Sequence, residues 1–230
     1  MPVEPHPLAA RMRGIEPFHV MALLARARVL ERQGRSIVHM EIGEPDFPTP
    51  RPVCEAGIRA LEQGELFYTP ALGLPALREA IAGYYRSRYG VSVAAERVVI
   101  TPGSSGALLL ALGVLVDPGA EVLVTDPGYP ANRHFVRLFN GEAVNVPVDA
   151  DSVYQMTPEL LEHYWSDRTV AALVATPSNP TGTVIPHGQL ARMASFAAGR
   201  GGILIVDETI TGSSTKARLA RRWRSTPISS

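Results

Sequence analysis

The chain has a single cysteine, Cys54, and a single lysine, Lys216, among its 230 residues. One cysteine cannot form an internal disulfide or a metal cluster, so we expect a cytoplasmic protein without a metal site. No apolar run approaches the ~20 residues that span a bilayer, and residues 1–5 do not have the charged start of a secretion signal. We therefore expect neither a membrane partner nor a signal peptide.

Acidic residues are missing from the stretch 209–230, which instead carries Lys216, Arg218, Arg221, Arg222 and Arg224. Because the whole chain holds 22 basic and 22 acidic residues, 17 basic residues remain in 1–208 against all 22 acidic ones. A basic stretch can bind nucleic acid, but five charges around one tryptophan are a weak signal. We expect a disordered basic tail at 209–230 and no nucleic-acid partner.

Apolar runs of strand length alternate with amphipathic stretches of helix length from about residue 97 onward. This alternation is typical of parallel strands joined by helices. The predicted strands are 98–101, 121–125, 142–146, 170–175 and 202–206. The predicted helices are 17–33, 74–89, 104–116, 129–140, 158–165 and 187–200. The sequence thus predicts an α/β fold with three αβα layers around a mainly parallel sheet, preceded by a helical segment.

Small, aromatic and polar residues follow four of the predicted strands. The carboxyl ends of parallel strands form the ligand site of open α/β sheets. The turn 101–106 opens a helix whose free N–H groups suit a phosphate, and Tyr129 offers a ring that can stack on a flat heterocycle. Asn179 and Asp207 follow the last two strands. Each residue alone could be a helix cap or a packing group, but together they favour a cofactor site.

Several motifs occur in the order found in class I/II aminotransferases, the fold-type I enzymes that use pyridoxal 5'-phosphate (PLP). The motifs lie at 43–47, 68–73, 77–81, 101–108, 126–130, 178–182 and 206–208. Over residues 15–208 the chain resembles this family. The resemblance implies amino-group transfer between an amino acid and a 2-oxo acid, PLP as cofactor, and a homodimer.

The resemblance also implies a role for each residue around the cofactor. Gly103, Ser104 and Ser105 correspond to the cradle of the phosphate. Tyr129 corresponds to the ring that stacks on the pyridine, and Asn179 to the donor to the phenolic oxygen.

Three further residues take family roles by the same resemblance. Asp207 corresponds to the acid that faces the pyridine nitrogen, where a carboxylate favours the protonated ring. Tyr68 would reach the phosphate of the neighbouring subunit. Gly43 would meet the substrate carboxylate through its backbone.

The resemblance further implies a lysine that holds PLP as a Schiff base, a few tens of residues beyond the acid, and a distal arginine. Lys216 follows Asp207 by only nine residues, and Ser213 stands before it as in the Ser-x-x-Lys pattern of the family. We do not expect Lys216 to be that lysine, because the crossover and strand that would deliver it are absent. No catalytic residue is therefore assigned.

The chain departs from the family pattern directly after Glu208, where the family continues with Ile-Tyr. Loss of one T from codons for Glu-Ile-Tyr-His-Gly-Leu-Val-Tyr-Glu-Gly could produce residues 208–217 of this chain. We therefore expect the first half of an aminotransferase, ended by a frameshift or a mis-called gene and inactive alone. Its predicted parts are an N-terminal arm and small-domain segment at 1–42, an incomplete PLP-binding large domain at 43–208, and the tail at 209–230. The alternatives are a PLP-dependent carbon–sulfur β-lyase of the same fold and a non-catalytic remnant.

Overall fold

The computed structural model describes residues 8–43, 47–64 and 66–210. These residues form two units, which we call the sheet unit (8–15 and 75–210) and the helical unit (16–74). Most of the predicted tail, with Lys216 and Ser213, lies outside the described residues. The predicted domain boundaries at 42 and 208 stay predictions.

The helical unit contains α1 (His19–Arg32) and α2 (Arg51–Gln63). The first helix was predicted, whereas α2 was missed. Two sequence signals bracket α2: a proline in its first turn and Gly64 at its end, where φ is 66° and a left-handed residue stops the helix. Ala27 is the only buried hydrophobic residue among those described in this unit. The described part of the helical unit therefore has almost no core of its own.

The sheet unit contains five helices and four strands. In chain order they are α3 (Pro75–Tyr89), α4 (Gly103–Leu115), β1 (Glu121–Asp126), α5 (Ala131–Leu138), β2 (Glu142–Pro147), α6 (Pro158–Tyr164), β3 (Thr169–Ala175), α7 (His187–Gly199) and β4 (Ile203–Asp207). Short 3-10 helices occur at Ala10–Gly14 and Ala95–Arg97. All five helices and four of the five predicted strands are confirmed, with ends that shift by one or two residues.

The predicted strand at 98–101 is wrong. Val98 has extended dihedral angles, with φ −96° and ψ 123°, but the segment has no strand partner among the described residues. Its backbone groups bond elsewhere: the amide of Val98 donates to the carbonyl of Ala95 at 3.1 Å, and the carbonyl of Val98 accepts from Nε of Arg78 at 2.9 Å. An extended apolar run becomes a strand only when a neighbouring chain completes the ladder.

The four strands pair in the order β2-β1-β3-β4, and every pair is parallel. One face of the sheet packs against α6 and α7 through a cluster that includes Leu161, Leu190 and Met193. The other face packs against α4 and α5 through Leu112 and Val136. The three-layer α/β fold predicted from the sequence is therefore confirmed. None of the described helices combines the length and the hydrophobicity needed to cross a bilayer.

Candidate functional site

The order of the strands creates a natural ligand crevice at the carboxyl edge of the sheet. From β1 the chain continues to β2 on one side, whereas β3 and β4 lie on the other side of β1. Loops that leave β1 and β3 therefore diverge, and open α/β sheets bind ligands at such a switch point. Tyr129 follows β1 by three residues and Asn179 follows β3 by four. The topology brings these two predicted site residues to the same edge.

Asp207 reaches this edge as the last residue of β4. It lies in register with Ala175, the last residue of β3, and its carbonyl accepts a hydrogen bond from the amide of Thr176 at 2.9 Å. Its Oδ1 accepts from the amide and the hydroxyl of Thr209, at 2.9 and 2.6 Å. The carboxylate thus also caps the residues that follow it, which is the structural role that the sequence alone left open for Asp207. These bonds hold the carboxylate in a defined orientation.

The half-buried carboxyl of Glu208 follows directly. Burial raises the pKa of Glu208 above its ordinary value, and the neighbouring charge of Asp207 raises it further. A low-dielectric surrounding disfavours a second negative charge beside the first. At the end of β4, burial and the adjacent charge of Asp207 therefore both disfavour ionisation of Glu208.

The amino end of α4 lies toward the same edge of the sheet. A short turn, 116–120, joins the end of α4 to the start of β1, so the helix must run back along the strand. Its 13 residues span about 20 Å at 1.5 Å per residue, and the six residues of β1 span about 20 Å at 3.3 Å per residue. The two elements are matched in length, which brings the start of α4 level with the end of β1.

At the first turn of α4 the amide of Gly103 donates to the carbonyl of Thr101 at 2.8 Å, and it is the N–H groups that follow it that have no partner within a helix start. Gly103 has a φ of 75°, which favours glycine, and a Cβ placed on it would meet nothing within 4 Å. Ser104 and Ser105 are exposed. The N-cap residue is Pro102, and no described side chain caps this helix. A helix start of this kind can hold an anion through its N–H groups and its dipole.

The turn before Tyr129 depends on a glycine. A Cβ on Gly128 would lie 2.5 Å from the carbonyl oxygen of Thr125, closer than atoms can approach. Tyr129 itself is partly buried, and its carbonyl accepts from the amide of Asn132 at 3.2 Å at the start of α5. The tight turn thus fixes the backbone position from which the side chain of Tyr129 extends.

Asn179 lies exposed in a closed loop, 176–185. Inside the loop the amide of Ser178 donates to the carbonyl of Thr183 at 2.9 Å, and the amide of Gly182 donates to the carbonyl of Ser178 at 2.8 Å. Ser178 is buried, whereas Asn179 beside it is not. Backbone hydrogen bonds therefore fix the loop, and the side chain of Asn179 is exposed on it.

Two predicted site residues lie in the helical unit. Tyr68 is fully exposed there and Gly43 is exposed. Residues 44–46 of the motif that starts at Gly43 lie outside the described residues. The predicted roles of Tyr68 and Gly43 stay predictions.

Sequence reasoning missed two residues that support the loop, Gln155 and Thr176. Both are buried polar residues with hydrogen bonds to the loop backbone. Thr176 lies directly after β3, where the strand-end rule could have singled it out. Gln155 carries no local signal, because its partners lie 20 and 28 residues further along the chain.

Residues 35–217 match the family model described as aminotransferase class I and II. A (5-formylfuran-3-yl)methyl phosphate transaminase of Methanocaldococcus jannaschii is 40% identical over 178 residues, which are 77% of this chain and 46% of that protein. A valine–pyruvate aminotransferase of Mycobacterium tuberculosis is 38% identical over 86% of this chain and 51% of its own length. The chain spans about half the length of these curated relatives.

Solved structures show the same relation. An aminotransferase from Mycobacterium tuberculosis superimposes with a TM-score of 0.84 at 38% identity, over 89% of this chain and 52% of that one. The aspartate aminotransferase from Thermus thermophilus with maleate superimposes with a TM-score of 0.83 at 37% identity, over 89% and 53%. The fold of the chain is thus that of half of each of these proteins.

Proposed function

Because the chain belongs to the class I and II aminotransferases, we propose that the carboxyl edge of its sheet binds pyridoxal 5'-phosphate. The observation that carries this proposal is the switch point between β1 and β3. The loops that follow these two strands hold Tyr129 and Asn179, and Asp207 ends the strand next to β3. Three residues with separate family roles therefore lie at the same edge of the sheet, which supports the proposal.

The residues present fit the chemical groups of this cofactor. A phosphate needs N–H donors that no side chain already occupies. The start of α4 has no side-chain cap, and no atom lies within 4 Å of the place where a Cβ of Gly103 would be. A flat ring needs an aromatic neighbour, which Tyr129 supplies. A pyridine nitrogen needs an acid to stay protonated, and the hydrogen bonds of Thr209 hold the carboxylate of Asp207 at the strand end.

When bound, the cofactor supplies an electron sink for the α-carbon of an amino acid. The chain's own residues bind and orient it. We assign the anchoring of the phosphate to Gly103, Ser104 and Ser105, and the holding of a proton at the pyridine nitrogen to Asp207. We assign to the amide of Asn179 a hydrogen bond to the phenolic oxygen.

We further propose that the whole protein transfers an amino group between an amino acid and a 2-oxo acid. The relatives named above are a transaminase and aminotransferases, which favours transfer over carbon–sulfur elimination. The names of these relatives indicate different substrates, so the proposal stays at the level of the reaction. A homodimer with Tyr68 at the neighbouring phosphate and a cytoplasmic location belong to the same proposal.

The cofactor proposal is tested by equilibrium dialysis of the full chain against PLP and against pyridoxal, which has no phosphate. We expect saturable binding of PLP and much weaker binding of pyridoxal. Asn179→Ala should raise the Kd for PLP about tenfold, because it removes one hydrogen bond to a charged group. Asn145→Ala, a matched change at an exposed position of β2, should leave the Kd unchanged. Equal affinities of the two variants, or no saturable binding by the unmodified chain, would refute the site.

The reaction is tested separately with a PLP-loaded protein extended to the full length of its relatives, an amino acid and a 2-oxo acid, because residues 1–230 alone are expected to be inactive. Formation of the new amino acid without release of ammonia is the expected result for the complete activity. Release of pyruvate and ammonia from a β-substituted alanine would favour the lyase. PLP binding without any turnover by the extended protein would contradict the proposed transfer, whereas turnover by the extended protein but not by residues 1–230 is the result expected for a half-protein.

A further inference from the structure

The side chain of Gln155 ties together the two ends of the loop that carries Asn179. It is 4% exposed, and its Nε2 donates to the carbonyl of Ala175 at 3.2 Å and to the carbonyl of Thr183 at 2.8 Å. Ala175 ends β3 and so precedes the loop, whereas Thr183 lies beyond its tip. One amide group from outside the loop therefore spans both of its legs.

These bonds connect with the bonds inside the loop. The carbonyl of Thr183 accepts from Gln155 and also from the amide of Ser178, at 2.9 Å. The hydroxyl of Thr176 accepts from the amide of Ile185 at 3.0 Å, which closes the base of the loop. Asn179 directly follows Ser178, so its place depends on a carbonyl that Gln155 holds.

The chain reaches Gln155 through a strained turn. Val153 and Tyr154 have φ of 55° and 52°, in the left-handed region that β-branched and bulky residues avoid. Val153 is exposed, so burial of its side chain does not explain this conformation. The turn is held by Asp149, whose carbonyl accepts from the amide of Tyr154 at 2.6 Å and whose Oδ1 accepts from the amide of Ser152 at 3.1 Å. Strain of this kind persists where surrounding structure imposes it, and here it delivers a buried amide to the loop.

We propose that Gln155 is a positioning residue that sets the place of Asn179 at the cofactor site. It does not touch the ligand and acts only through the backbone of residues 175–183. The effect on the ligand rests on the proposed function, whereas the effect on the loop does not. Two separate measurements can therefore distinguish the two ideas.

The first measurement follows amide hydrogen exchange in the ligand-free chain. Gln155→Leu keeps the volume of the side chain but removes both donors, and Gln155→Glu replaces the donors with a carboxylate that faces two carbonyls. In both variants we expect the amides of Ser178 and Gly182 to exchange about tenfold faster or more, because their local opening becomes easier. Ser166→Ala serves as the control, because it removes a hydrogen bond to the carboxylate of Glu121 at the opposite edge of the sheet. It should leave the exchange of both loop amides unchanged.

The second measurement is a double-mutant cycle on the Kd for PLP. Gln155→Leu should raise the Kd about tenfold in the unmodified chain and less than twofold in the Asn179→Ala background, because it acts through Asn179. A purely structural role would give the same factor in both backgrounds.

If the unmodified chain does not bind PLP but loop exchange still responds to Gln155→Leu, the function is wrong and the control of the loop by Gln155 stands. Unchanged exchange of Ser178 and Gly182 in both Gln155 variants, or additive effects in the cycle, would overturn the positioning role.

Discussion

At the amino edge of the sheet, the nearly buried carboxylate of Glu121 accepts from the hydroxyls of Ser166 and Thr169 at 2.6 and 3.4 Å. It also pairs with Arg168, which lies 3.3 Å from a carboxylate oxygen of Glu142 as well. At the carboxyl edge the polar groups are arranged differently. There, backbone hydrogen bonds and a neutral side-chain amide hold the loops, and side chains such as Asn179 stay exposed.

The difference separates stability from binding. A charge at the amino edge is satisfied within the protein, so its removal leaves buried partners without a bond. The loops at the carboxyl edge are held by hydrogen bonds to their backbone, which leaves exposed side chains such as Asn179 available for a ligand. We therefore expect substitutions at the amino edge to change the free energy of unfolding, and substitutions at the carboxyl edge to change affinity.

The largest expected effect on stability comes from Glu121→Gln. This change removes the negative charge that pairs with Arg168. It also replaces one carboxylate oxygen with an NH2 group, so the side chain can accept fewer hydrogen bonds. We expect the free energy of unfolding to fall by about 2 kcal/mol. Urea unfolding followed by circular dichroism measures it. Glu142→Gln, which alters the exposed partner of the same arginine, should cost less than about 0.5 kcal/mol. Equal losses in the two variants would remove the distinction between a buried and an exposed carboxylate at this edge.

A smaller effect is expected at the carboxyl edge, from Glu208→Gln. Burial, and then the charge of Asp207, raise the pKa of Glu208 in the folded chain above its ordinary value of 4.5. The folded state thus binds this proton more tightly than the unfolded state, and the stability contributed by Glu208 falls as pH rises through the window above 4.5. The side chain is only half-buried, so we expect Glu208→Gln to stabilise the chain at pH 7 by a few tenths of a kcal/mol. Urea unfolding at pH 4 and pH 7 checks this.

The gain from Glu208→Gln should shrink toward pH 4, where the native carboxyl is itself protonated. A gain that grew toward low pH would mean that the charged form of Glu208 is favoured in the folded chain. The contrast between Glu208 and Glu121 would then fail, since both would stabilise the folded chain in their charged form.

The sequence predicts most of the sheet unit because its signals are local. The runs of β1 and β3 are apolar because both faces of each strand are buried, and the helices between them are long and periodic. The position of Tyr129, Asn179 and Asp207 at one edge of the sheet could be predicted because parallel strands end at a common edge. These features depend on residue order alone.

The features that escaped prediction depend on partners far along the chain. Residues 98–101 have a strand-like composition, but their backbone bonds go to Arg78 and to a turn. The helix α2 is a different case, because Val53, Ile58 and Leu61 recur at helical spacing and this periodic signal could have predicted it, although these side chains are exposed in the structure. In the sequence Gln155 looks like an ordinary turn residue, because its partner Thr183 comes close to it only in the folded chain.

The most direct test of the central claim is the Kd for PLP of Asp207→Asn beside that of Glu121→Gln. Asparagine keeps the shape of Asp207 but not the charge that favours a protonated ring, so we expect its Kd to rise at least tenfold, or about 1.4 kcal/mol. Glu121→Gln, measured where it is fully folded, should bind PLP as the unmodified chain does. An unchanged Kd in Asp207→Asn, or an equal loss of affinity in Glu121→Gln, would contradict a PLP site at the carboxyl edge.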